Sequence, residues 1–273
     1  MAKYVNQHYF DDIESKRKTY ILGAAYAIAN IEPDNSVTFR SSKKDLVEIV
    51  REELESQHKL QRDKRKNDKS YWIEIDNPVH MRYAMEGRGI VRDKSKRKFP
   101  QDIRKEYISH FVRGFFDARA HVYNTDKGST SIEIMFNRKF LSGLHDIFVK
   151  YANVERKKPT GNLLTYRHSD AMKIHNFIYS DWGYTRRNGL YLPSKKRQFN
   201  LDYTAPEHAL RKKSLEKMEM AKELLPKGFS HQEIADILDY SNVFAFYRAF
   251  KNATGMTTSQ FLKKKRKLKS GAP

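Results

Sequence analysis

The sequence predicts an α+β protein: a pseudo-twofold duplicated αββαββα domain followed by a C-terminal all-α helix-turn-helix domain. Two observations carry that reading. The first three quarters of the chain runs twice through one order of helices and strands, and the last quarter switches to uninterrupted helical periodicity. A third observation sets the scale: 39% of the 273 residues are hydrophobic, enough for a substantial core although 32% are charged. The expected domains are a first repeat at 1–97, a second at 98–203 and a helix-turn-helix with a basic tail at 208–269.

The first repeat opens with an alanine-rich apolar helix, "TYILGAAYAIANIE" at 19–32. "SVTFRSS" alternates like a strand, and "KKDLVEIVREELES" returns to helical period. "HKLQRDKRK" and "SYWIEID" predict two more strands, and "PVHMRYAMEGRG" a short helix with proline in its first turn. The second repeat follows the same order, from the helix "EYISHFVRGFFDARAHVY" to the strand "SIEIMFN" and the helix "RKFLSGLHDIFVKYAN". The strand "LLTYRHS" and the helix "DAMKIHNFIYSD" complete it. Gly23 and Gly114 hold corresponding places in the two leading helices, about 90 residues apart, a spacing that suits a duplicated domain better than a solenoid.

"KSKRKFPQD" joins the repeats, and "LPSKKRQFNLDYTAPEH" leads out of the second. Four helical segments follow: "ALRKKSLEKMEMAKELLPKG", "SHQEIADILDY", "SNVFAFYRAFKNATG" and "TTSQFLKKKRK". Ser230 and Glu233 have the spacing of a capping box, and the basic run 263–269 is expected to fray.

Lys and Arg number 53 against 33 acids, a net charge of +20. A surplus of that size points to a polyanionic partner, foremost nucleic acid. The absence of cysteine excludes disulfides, thiol catalysis and cysteine-ligated zinc. No apolar run reaches membrane-spanning length and no secretory leader is evident, so a soluble, cytoplasmic and nucleoid-associated protein is expected, without a cofactor.

The segment "KRKFPQDIRKEYISHFVRGFFDARAHV" resembles the second motif region of LAGLIDADG homing endonucleases, and "YILGAAYAIANI" resembles their first motif. "LYLPSKKRQF" is similar to the basic ending of their second repeat, so the resemblance covers residues 10–200 approximately. "SHQEIADILDYSNVFAFYRAFKNATGMTTSQF" resembles the DNA-binding half of AraC-type regulators. It departs from that pattern at Asp239, where the family has glycine, and at Thr258, where it has proline.

The first resemblance implies that the two motif helices pack side by side, with Gly23 and Ala27 against Gly114 and Ala118. In the family each helix delivers one carboxylate to shared divalent metal ions. Those positions fall on Ile28 and Arg119 here, neither of which ligates Mg²⁺. Asp117 matches a non-ligand acid of the motif, and Glu32 lies one turn beyond Ile28, so a rescued centre would use those two acids. Arg119 then has two readings, a bidentate phosphate ligand or a cap and ion-pair partner at the helix end.

The resemblance also implies that strand residues line a DNA saddle. The candidates are Arg40, Gln61, Arg62, Lys64, Arg167 and His168, with Asn137, Lys157 and Lys158 as weaker ones, and Lys195 and Lys196 in the basic ending. In the C-terminal segment Phe246 and Phe250 should pack inward against Ile234 and Leu238. Asn242, Val243, Phe244, Tyr247 and Arg248 are then left for a major groove.

The expectation from these readings is a monomeric, sequence-specific double-stranded DNA-binding transcriptional regulator of bacterial or phage origin. It would be built on a catalytically inactive endonuclease scaffold and would recruit or block RNA polymerase. Two alternatives stay open: a divergent LAGLIDADG homing endonuclease with relocated acids, and an RNA-binding intron maturase.

Overall fold

The computed structural model describes residues 3–63, 69–203 and 206–269. It divides the chain into two compact units, Met1–Tyr203 and Thr204–Pro273. The first is a mixed α+β unit with two small antiparallel sheets.

Helix α1 (Lys16–Ile28) starts at Ser15, whose hydroxyl accepts from Lys18 N at 3.1 Å. Every residue from 19 to 28 is buried, so the helix is apolar on all sides and lies at the centre of the unit. Helix α4 (Ile108–Arg119) is its counterpart, buried from 108 to 117.

Both helices end sooner than their periodicity predicts, and in the same way. Ala29 and Ala120 turn extended, with φ/ψ of −74°/137° and −71°/140°, and lead directly into strands β1 (Ala29–Ile31) and β5 (Ala120–Asn124). The helices expected to run to Glu32 and Tyr123 therefore each give up their last residues to a sheet. Pairing of Ala29 with Phe39 and Ala120 with Ile134 supplies the backbone partners that a further turn would have supplied.

In the first repeat β1 is followed by β2 (Val37–Ser41), α2 (Lys44–Glu53), β3 (Gln61–Arg62), β4 (Tyr71–Ile75) and α3 (Val79–Gly87), in the sheet order β1-β2-β4-β3. Leu46, Val47 and Val50 of α2 are buried. The second repeat continues from β5 through β6 (Thr130–Met135), α5 (Arg138–Ala152), β7 (Leu163–Tyr166) and α6 (His168–Ile178), in the order β5-β6-β7. Where the first repeat has β3, the second has a loop whose only ladder contact is the Thr160–Leu163 bridge. Pro159 in that loop has no N–H for a ladder. The expected αββαββα order thus holds in the first repeat, while among the described residues the second is one strand short.

Phe99, Phe111, Phe115, Phe136 and Phe140 pack ring to ring where α4 meets α5, with Phe99–Phe111 edge-to-face at 5.3 Å. Two short helices, α7 (Trp182–Arg187) and α8 (Pro193–Arg197), close the unit.

The second unit consists of α9 (Pro206–Leu224), α10 (His231–Ile237), α11 (Val243–Thr254) and α12 (Thr258–Lys269). Its core holds Met218, Ala221, Leu225, Ile234, Ala235, Leu238, Phe246 and Phe250, so the four expected inward residues are inside. The capping box is formed: Ser230 Oγ accepts from Glu233 N at 3.2 Å, and Ser230 N donates to Glu233 Oε2 at 2.7 Å. Thr257 and Gln260 make a second reciprocal pair at the start of α12. Asp239 sits at φ 56°, the left-handed conformation for which glycine is the usual solution and which aspartate tolerates. Helix α12 continues through Lys269, so the basic run is helical in the structure.

Candidate nucleic-acid interface

The two central helices cross with backbone against backbone. A Cβ added to Gly23 would lie 2.0 Å from the carbonyl oxygen of Phe111, and one added to Gly114 would lie 1.9 Å from that of Tyr20. Only glycine permits this approach, and it brings the C-terminal ends of α1 and α4, one from each repeat, to one place.

Cations collect at these two ends. Arg119 donates to Ala27 O at 2.8 Å, across from α4 to α1, and its guanidinium lies 5.4 Å from the Phe136 ring centroid. Lys94 Nζ donates to the same carbonyl at 3.3 Å, and Arg97 donates to Tyr26 O and Ala29 O at 2.7 and 3.0 Å. On α4, buried Lys195 donates to Ala120 O. Helix C-termini carry unpaired carbonyls and partial negative charge, so these cations complete the helices. Burial pulls the Lys94 ammonium down to about 7, helped by Arg119 and Arg97, and pulls Lys195 down to about 8. Burial also lowers Arg119.

Of the readings of Arg119, the helix-end cap is present in the structure, on the end of α1. Among the described residues no ion pair joins it to Asp117 or Glu32, and Asp117 points elsewhere. Asp117 is fully buried, and its Oδ2 accepts from Tyr20 Oη at 2.9 Å and Leu192 N at 3.1 Å. Its Oδ1 is buried without a partner, and desolvation raises the carboxyl to about 7 against the pull of the Tyr20 bond and Arg113. Asp117 is therefore a structural acid, and the centre expected from Glu32 together with Asp117 does not form. Glu32 is half-buried in the β1–β2 turn, where its charge is felt by Lys94. With Asn30, Asp34, Arg40 and Glu74 it lines a cavity of about 490 Å³. Beside α4, a second cavity of about 490 Å³ is lined by Lys43, Lys44, Asp45, Arg119, Lys195 and Gln198.

The strand candidates divide. Gln61 and Arg62 are exposed on the edge strand β3, with Arg62 set against Tyr71. Arg40 pairs with Asp63 at 3.1 Å and lies over Trp72. Lys64 lies outside the described residues. Arg167 is exposed at the N-cap of α6, whereas His168 Nδ1 accepts from Thr130 N at 3.2 Å and fixes a strand end. Asn137 caps α5 and donates to Lys94 O and Arg97 O, so it holds the linker in place. Lys157 donates to Thr165 O, Lys158 is exposed, and Lys196 lies over Trp182.

In the second unit Asn242 is the N-cap of α11, accepting from Ala245 N at 2.9 Å. Phe244 is 74% exposed, Arg248 is exposed, and Tyr247 Oη is 3.0 Å from His231 Nδ1. Val243 is half-buried beside them.

The sequence expectation leaves out Lys94, Arg97, Lys43 and Lys44. A signal exists for the first two, because "KSKRKF" ends the first repeat as "PSKKRQF" ends the second.

The sequence matches no family profile and no curated protein. Among solved structures, the chain is similar to the I-LtrWI LAGLIDADG homing endonuclease bound to target DNA, with 11% identity, 65% of this chain and 85% of that one covered, and a TM-score of 0.41. It is also similar to the I-GzeII LAGLIDADG homing endonuclease in complex with a DNA target, with 11% identity, coverage of 82% and 97%, and a TM-score of 0.43. For the meganuclease I-SmaMI bound to uncleaveable DNA the values are 10%, 62%, 85% and 0.38.

These neighbours are nucleases, and two expectations are corrected on that finding: that of a transcriptional regulator and that of a chain without enzymatic activity. The second rests on Ile28 and Arg119, and the first on those two positions together with the helix-turn-helix resemblance. Two substituted positions remove two ligands, but they do not account for the other acids around the helix ends. Among the described residues no helix is long and apolar enough to cross a membrane.

Proposed function

We propose that this chain is a divergent DNA endonuclease of the homing type, acting as a monomer on a long duplex site. The observation that supports this best is the glycine crossing, which places the ends of two equivalent helices together in a cation-rich setting between two antiparallel sheets. Duplex DNA would lie along the sheets, with Gln61, Arg62 and Arg167 among its contacts. The cleavage centre would draw on Glu32, whose charge acts on Lys94, with Asp34 and Glu74 lining the same cavity. Mg²⁺ commonly takes only one or two protein carboxylates and completes its shell with phosphate oxygens and water, so a single well-placed acid can suffice.

The second unit would add a further contact by laying α11 in a major groove, with Phe244 and Arg248 facing the bases. Its support is the exposure of a large aromatic and an arginine on one face of a capped helix.

The test begins with sites selected from a random duplex library and cloned into supercoiled DNA. Nicking or linearisation in Mg²⁺ or Mn²⁺, absent in EDTA and lost in Glu32→Gln with binding intact, is expected. Selected sites that stay closed in every metal would overturn the proposal.

A further inference from the structure

Outside the helix pair, two imidazoles and a carboxylate meet on the surface of the first repeat. His8 and Asp11 belong to the segment before α1, and His80 lies in the first turn of α3. His8 Nδ1 is 2.8 Å from Asp11 Oδ2, and His80 Nε2 is 2.8 Å from Oδ1 and 3.0 Å from Oδ2 of the same carboxylate. One ligand atom from each residue lies within 4.8 Å of the other two. The imidazole centroids are 4.1 Å apart, tilted by 46°.

The backbone that carries these groups is fixed. Phe10 and Tyr9 are buried, and Asn6 N donates to Leu54 O at 2.9 Å. Asp11 N donates to His8 O at 3.2 Å, so the two ligands sit on one turn. Arg88, at the end of α3, donates to Asp11 O at 2.6 Å and Phe10 O at 3.4 Å and ties that turn to the helix bearing His80. The three side chains are thus presented by a braced framework, although each is exposed.

Two histidines sharing one carboxylate have a specific chemistry. Zinc bonded to imidazole nitrogen and carboxylate oxygen at about 2.1 Å in tetrahedral geometry needs donor atoms roughly 3.4 Å apart. The two imidazole–carboxylate separations of 2.8 Å are shorter than that and all three donors lie within 4.8 Å, so rotation of exposed side chains suffices to open them around one ion. Imidazole selects borderline metals such as Zn²⁺, Co²⁺ or Ni²⁺ over Mg²⁺ and Ca²⁺, which demand oxygen.

We infer that His8, Asp11 and His80 form a zinc-type metal site that staples the N-terminal segment to α3 and leaves a fourth position for water or an outside ligand. The site is independent of the cleavage centre proposed above. Its metal differs in class from the Mg²⁺ of that centre, so the two can be tested apart.

The experiment uses the full chain stripped of metal and titrated with Zn²⁺ by calorimetry, in the wild type and in His8→Ala and His80→Ala. Co²⁺ serves as an optical probe. One Zn²⁺ per chain is expected, and each substitution should weaken it by at least about 10-fold, since even outer-shell changes have effects of that size. The visible Co²⁺ band should disappear in both variants, and zinc should slow amide exchange at residues 6–11. Both histidines are exposed, and matching unfolding midpoints without metal will show that the variants fold. The inference is overturned if no stoichiometric Zn²⁺ binds, if both variants keep wild-type affinity, or if Mg²⁺ competes equally.

Discussion

Gly114→Ala tests the central architectural claim. A methyl at Gly114 would meet Tyr20 O at 1.9 Å and Ala24 N at 2.9 Å, atoms of backbone that no rotamer change can move away. Relief requires the helices to part by more than about 1 Å, and a gap of that order forfeits up to half the attraction across the contact. Overpacking generally costs about 1–3 kcal/mol, with backbone clashes at the upper end or beyond, while alanine recovers about 1 kcal/mol of helix propensity. We expect a net loss of about 3 kcal/mol or more in denaturant unfolding followed by far-UV circular dichroism. Gly87→Ala is the internal control, because a Cβ there meets nothing within 4 Å and the substitution should be neutral or stabilising. Gly23→Ala addresses the same crossing, so combining it with Gly114→Ala should cost less than the two losses added. If Gly114→Ala lies within about 0.5 kcal/mol of wild type, the helices do not pack in this way, and the joining of their ends fails with it.

The remaining expectations concern other parts of the molecule. Burial raises the Asp117 carboxyl from 3.8 to about 7, so the folded chain holds a proton that the unfolded chain releases. The associated stability is complete below pH 4 and is lost as pH rises through 7, on the order of 4 kcal/mol. Asp117→Asn should therefore gain on wild type between pH 4 and pH 8 in urea titrations, and an unchanged difference between those pH values counts against the assignment. Ser230→Ala removes one half of the capping box and should lower the stability of the second unit by about 1 kcal/mol, measured by amide exchange in α10. Arg248→Ala should weaken binding to a selected duplex by about 1–3 kcal/mol without moving the footprint of the first unit; an unchanged affinity would remove α11 from the interface.

Helices were legible where burial follows a period, and their ends were not. Helix α4 was expected to reach Tyr123, yet it stops at Arg119 because Ala120 finds a strand partner in Ile134. That partner lies across a hairpin, and no local pattern in "DARAHVY" announces it. The missing fourth strand of the second repeat is the reverse case. The order of elements suggested symmetry, and Pro159 locally denied it. Asp239 takes the left-handed conformation that glycine usually fills, which its letter alone does not announce.

The candidate site was harder to read because charge does not reveal its own use. Lys195 and Arg119 carry the same formal charge as Arg62, but the first two are turned onto carbonyl oxygens of helix ends and the third is exposed on an edge strand. A helix end creates that demand only after the chain has folded, so sequence alone could not separate a cation that satisfies the protein from one left for a phosphate. The same logic applies to Ile28 and Arg119. The resemblance implies ligands at those two positions, while the folded β1–β2 turn sets Glu32 where its charge acts on Lys94, which the motif does not encode. If Glu32→Gln abolishes cleavage and leaves the footprint intact, chemistry will have moved from the helix ends to the first residue beyond β1. The packing of those ends will then have been kept for the sake of placing the DNA.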